Sequence, residues 1–173
     1  MIFSKPRDPR LITIRRGGSL TDANHHLLAL WAATCAEHVL HFFEEACPED
    51  HRPRNAIEQV RSWVRGDVSM MQSRAAGGHA MGAARPLRGP AREAAYAAGQ
   101  AAVVAHVADH GLGAAAYAIR AVRAAAPKND RLEAGRQECE WQRQQLPDEI
   151  RDWVLDDQKL RNDKCWFLFY QPA

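Results

Sequence analysis

The chain has 173 residues, 46% of them hydrophobic and 25% charged, a mixture that supports one compact core and excludes a disordered or fibrous protein. Alanine fills 31 positions, against 9 prolines and 5 phenylalanines, so helix is favoured far more often than strand. The formal net charge is +2, but residues 1–20 carry +4, residues 21–50 carry −6 without one Lys or Arg, and residues 51–92 carry +6.

These properties predict an all-α protein: one domain over residues 1–173, a bundle of about six or seven helices, with an N-terminal arm at 1–18 and a C-terminal strap at 158–173. In the arm, Leu11 to Ile14 has strand character and is too short for a signal-peptide apolar region. Gly17-Gly18 then breaks the chain, and Ser19, Thr21 or Asp22 can cap a helix running to about Ala46. Leu27, Leu28, Trp31, Cys35, Val39, Phe42 and Ala46 form its apolar stripe, and Pro48 stops it.

Pro53 suits the first turn of the next helix, which carries Ile57, Val60 and Val64 inward and ends at Gly66. Asp67 can cap a third helix bearing Val68, Met71 and Ala75, which weakens at Gly77-Gly78 before a loop at Pro86 to Pro90. From Pro90 to Ala126 nearly every residue is small and apolar, the pattern of a helix in the middle of a bundle. As one rod this stretch would be about 55 Å long, while a domain of this size is roughly 40 Å across. A break at Gly111 and Gly113 is therefore expected, giving an Ala-rich central hairpin of helices at about 91–109 and 113–125.

A polar surface helix, Arg131 to Gln145, follows, and Pro147-Asp148-Glu149 opens a last helix with Ile150, Trp153 and Val154 inward. The apolar tail Cys165 to Tyr170 has two readings, a two-stranded ribbon with Leu11 to Ile14 or an irregular strap over the bundle. The Ala94 to Ala108 run is shorter than the roughly 20 residues of a membrane span. Four cysteines without a CxxC pair read as thiols of a reducing compartment, so a cytoplasmic protein is expected.

Several groupings could carry chemistry. His106-Val107-Ala108-Asp109-His110, if helical, places two imidazoles and a carboxylate on one face, as metal sites do. It resembles the HxxEH pattern with Asp in place of the Glu base; the alternative is a His106 to Asp109 hydrogen bond inside a buried helix. In the first helix His38 can meet His41 or Glu45, a spacing equally suited to surface ion pairs. No metal or cofactor is assigned; His106, Asp109, His110, His38 and His41 come nearest to a ligand set. Arg15-Arg16-Gly17-Gly18-Ser19 before a helix suits an anion or a simple turn, and the basic stretch 51–92 around Gly66 can be read as a helix-turn-helix. The acidic stretch 21–50 is either an exposed face or neutralised by its basic flanks.

The run Arg10-Leu11-Ile12-Thr13-Ile14-Arg15-Arg16-Gly17-Gly18 followed by Thr21-Asp22-Ala23-Asn24-His25 and Leu30-Trp31-Ala32-Ala33 resembles the start of a bacterial immunity protein of the polymorphic-toxin systems, in the type five like family. Ala36-Glu37-His38-Val39-Leu40, Ala105 to His110, Ala115-Ala116-Tyr117-Ala118-Ile119 and Arg161-Asn162-Asp163-Lys164-Cys165-Trp166 are similar to that family's pattern as well. The resemblance implies an all-helical, non-enzymatic protein that protects its producer by binding a cognate toxin, and it transfers no active-site residues. Asp22, Glu37, Glu44, Glu45, Glu49 and Asp50 are the expected contacts to a basic partner, with the exposed part of the aromatic tail second. The competing readings are a metal-dependent hydrolase built on His106, Asp109 and His110, and a nucleic-acid-associated helical protein. No membrane contact is expected, and a homo-oligomer is left open.

Overall fold

A computed structural model describes residues 6–170. It contains eight α-helices: α1 (Asp22–His38), α2 (His41–Ala46), α3 (Arg52–Arg65), α4 (Met70–Ala84), α5 (Gly89–Val103), α6 (His110–Ala125), α7 (Arg131–Gln144) and α8 (Asp148–Leu160). The fold is all-α, with one helix more than the expected upper number because the first predicted helix is divided. No strand forms among the described residues; the one isolated bridge joins Thr13 to Leu20. The ribbon expected between Leu11–Ile14 and the tail is therefore absent there. Single-turn 3-10 helices occupy Pro9–Leu11, Ile14–Arg16 and Asp163–Cys165 instead. Residues 1–5 of the arm and 171–173 of the strap lie outside the described residues.

Thr21 caps α1 by accepting a hydrogen bond from the Asn24 amide, and Asp22 places a carboxylate in the first turn. The helix does not run on to Ala46. It ends at His38, and Val39 and Leu40 turn the chain before α2. The turn re-aims the apolar stripe: Leu40 and Phe43 are buried, while Phe42 is half-buried and Ala46 exposed. A continuous helix would have buried Phe42 and Ala46, trading two larger side chains for a smaller pair.

Pro53 sits in the first turn of α3, and Gly66 ends it in the left-handed conformation at φ +82°. The cap of α4 is Ser69, not Asp67: Ser69 and Gln72 form a capping box. Gly77-Gly78 does not weaken α4, which continues to Ala84, and its buried face is Ser73, Ala76, Gly77, Ala80, Ala83 and Ala84 while Met71 is exposed. Gly77 lies against α5, where a Cβ would meet the Gly99 carbonyl oxygen at 2.7 Å. The glycine serves close packing.

α5 and α6 supply most of the innermost alanines and pack along each other. The chain breaks at Val104–Asp109, before Gly111 and Gly113, both of which are buried within α6. Gly111 leaves room for Leu28, whose Cδ1 would lie 3.0 Å from a Cβ there. Two of the carbonyls in the break are taken by side chains: His25 Nε2 donates to Val104 O (2.7 Å) and Arg161 donates to Asp109 O (3.0 Å).

Although α7 is polar in sequence, it is not only a surface helix. Glu138 and Gln142 are buried, Trp31 Nε1 donates to Gln142 O, and Gln142 donates to Ala115 O and to Glu138. In α8, Ile150 and Val154 pack inward beside a buried ion pair, Asp157 with Arg161. The tail is pinned by Asn162, whose side-chain oxygen accepts from the Phe169 and Tyr170 amides. No helix is long and apolar enough to cross a membrane among the described residues.

Candidate functional site

A cleft of about 660 Å³ opens between the N-terminal arm, the start of α1, the end of α3 with its following loop, and the α5–α6 connection. Gly17 closes the 3-10 turn Ile14–Arg16 at φ +85° and so leaves Arg15 and Arg16 on the cleft's edge. The lining includes four arginines (Arg7, Arg15, Arg16, Arg65), three histidines (His25, His26, His106) and Trp63, with Asp22 as its carboxylate. His25 and His26 present ring edges to Trp63, with centroids 5.0 and 4.8 Å away. Arg7 reaches the fully buried Asp109 at 2.5 Å, Arg15 pairs with Asp22 at 2.7 Å, and Arg65 pairs with Asp67 at 2.8 Å.

His106 lines this cleft, and its Nδ1 is buried without a hydrogen-bond partner. Burial, with the charges of Arg74 and Arg16 nearby, holds its imidazole below the usual histidine range. Neither Arg16 nor Arg74 has an ion-pair partner among the described residues, and both are exposed. The anion reading of Arg15-Arg16-Gly17-Gly18-Ser19 thus shifts from helix amides to side chains, because Thr21 already caps α1 and Asp22 takes Arg15.

The one-face arrangement of His106, Asp109 and His110 does not form, because α5 ends at Val103 and α6 begins at His110. The three side chains part: His106 lines the cleft, Asp109 meets Arg7, and His110 Nδ1 donates to Gln100 Oε1 at 2.7 Å. Nor does His106 bond to Asp109, the alternative considered for this run; the buried carboxylate has Arg7 instead. Burial pushes the His110 imidazole down to about 4. His38 stacks on Trp141 with centroids 3.6 Å apart and donates to the buried Glu138 at 2.9 Å, whereas His41, across the turn in α2, lies against Phe42. Among the described residues no three His, Cys, Asp or Glu side chains gather as a metal-ligand group.

The acidic stretch 21–50 is largely answered from within. Arg61 holds Glu37 (2.6 Å), Arg54 holds Glu44 (2.5 Å), and Arg52 holds Asp50 (2.6 Å). These arginine hydrogen bonds keep the three carboxyls below their ordinary range. Asp22 is at the cleft, and Glu45 and Glu49 are exposed without an ion-pair partner among the described residues. The same three pairs occupy arginines that a helix-turn-helix reading of 51–92 needs for phosphates.

A second surface feature is the end of the tail. Trp166 and Phe167 are about half exposed, and both adopt left-handed backbone (φ 56° and 54°), which bulky residues rarely do. Arg120 sits over the Trp166 ring at 4.3 Å and is tied to the buried Glu93.

Residues 18–149 match the family described as Imm-5 like putative immunity protein. The chain belongs to this family. The match covers most of the chain, including α1 to α7 and every residue of the cleft from Asp22 onward. No curated protein and no solved structure matches the chain. Trp63, Arg65 and His26 line the candidate cleft, and Arg74 lies near enough for its charge to act on His106; sequence reading singled out none of these four. Their signal was the alternation of basic, acidic and basic segments, which marked where charges meet but not which would remain uncompensated.

Proposed function

We propose that the protein is an immunity protein that works by binding: it occupies a cognate bacterial toxin in the cytoplasm of the producing cell and blocks it without catalysing a reaction. The observation that carries this reading is the family match over residues 18–149. The architecture suits the role. The Ala-rich helices α5 and α6, packed along each other at the centre, supply a close-packed body on which a recognition surface can be held. The functional features stand at its surface, the arginine-rich cleft and the Trp166–Phe167 end.

The test is growth of cells expressing the toxin-like product of an adjacent gene, with and without this protein, followed by co-purification. The reading expects rescued growth together with a complex. Rescue without any complex, or no rescue at all, overturns it.

A further inference from the structure

The charge on this molecule is partitioned unevenly. Glu37, Glu44 and Asp50 are held by arginines of α3, so the acidic stretch presents little unbalanced charge. In the cleft, Arg7, Arg15 and Arg65 are held by Asp109, Asp22 and Asp67, which leaves Arg16 as the lining arginine without an ion-pair partner among the described residues. Arg16 in the lining and Arg74, whose charge also acts on His106, are exposed and lack an ion-pair partner among the described residues, and His106 lines the cleft with a half-buried ring.

We infer that this cleft docks a carboxylate-bearing segment of the partner toxin, with its acidic side chains held by Arg16, Arg74 and His106. The inference rests on the binding reading above and names the chemistry of the partner. A volume of about 660 Å³ lies in the range that encloses a ligand of drug size, and so accepts the tip of a loop. Guanidinium groups bind carboxylates in a fixed, two-pronged geometry. A nucleic acid is favoured less, because a phosphate backbone follows a continuous basic stripe. Here Arg52, Arg54 and Arg61 of α3, which would continue the stripe, are bound to carboxylates.

The experiment pairs R16E/R74E with the control K128E/K159E, an equal charge change at exposed lysines outside the cleft, each shown by circular dichroism to fold, and measures affinity for the toxin across a salt series. The cleft variant is expected to bind at least about tenfold more weakly and with a flatter salt dependence, and the control within about twofold of the parent. Equal binding by parent and cleft variant overturns the inference while leaving the proposed function intact. Overturning it too is capture of short single-stranded DNA that R16E/R74E loses while its toxin affinity is kept. If the parent forms no toxin complex, the binding reading fails instead. A hexa-aspartate peptide then decides the cleft: His106 side-chain resonances must shift in the parent and stay fixed in R16E/R74E, and no shift in the parent overturns the site.

Discussion

Gly77 of α4 and Gly99 of α5 face each other so closely that a Cβ on Gly77 would stand 2.7 Å from the Gly99 carbonyl oxygen and 2.7 Å from Val103 Cγ2. The neighbouring Gly78 faces open space. Adjacent glycines in one helix therefore have opposite roles. Gly77→Ala is expected to destabilise the protein by about 1–3 kcal/mol through overpacking. Gly78→Ala is expected to stabilise it by roughly 0.5–1 kcal/mol through helix propensity. Urea unfolding of the two variants measures both.

Arg161 is almost fully buried, bound to Asp157 and donating to Asp109 O in the α5–α6 connection. Replacing it by Ala strands a buried carboxylate and a buried carbonyl. A loss of about 3–5 kcal/mol is expected, seen as a large fall in the urea midpoint. Arg54→Ala, which removes only an exposed partner of Glu44, is expected to cost under about 1 kcal/mol.

Acid is expected to weaken the fold before carboxylates titrate. Burial holds His110 near a pKa of about 4, against 6.5 in the unfolded chain. The fold favours the neutral ring, so this contribution is complete above about pH 6.5 and is lost as pH falls toward about 4, to a total of roughly 3 kcal/mol. His25 and His106, also lowered by burial, act in the same direction. Stability measured from pH 7 to pH 4 should fall, and His110→Gln should flatten that slope.

The tail offers a packing test. Asn162 accepts two amide hydrogen bonds from Phe169 and Tyr170 and donates to the Tyr170 carbonyl. Asn162→Ala is expected to cost about 1–3 kcal/mol and to raise proteolytic cleavage after the Trp166–Phe167 segment, read by mass spectrometry of early fragments.

Much of the helix content was legible from local chemistry. Thr21 was among the caps expected for α1, and Pro53 and Gly66 mark α3 as expected because caps and breakers act within one turn. What escaped was set by distant partners. The division of α1 from α2 depends on which of Phe42 and Phe43 finds the core, and the break at Val104 depends on His25 and Arg161 taking its carbonyls. Gly77 reads as a weak point alone and as a close contact once Gly99 is opposite. At the candidate site, Arg16 and His106 stood out in sequence for other reasons. Their meeting near Arg74 arises from the packing of three separated segments, and the cancellation of Glu37, Glu44 and Asp50 needed α3 laid beside them.

Titrating a fixed amount of toxin with increasing amounts of the purified protein, while following toxin activity, tests the binding account most directly. The account predicts that activity falls in proportion and vanishes when the two are equimolar, with a complex isolated at that ratio. Loss of activity from a small fraction of an equivalent, with the toxin chemically altered, would contradict it and indicate turnover.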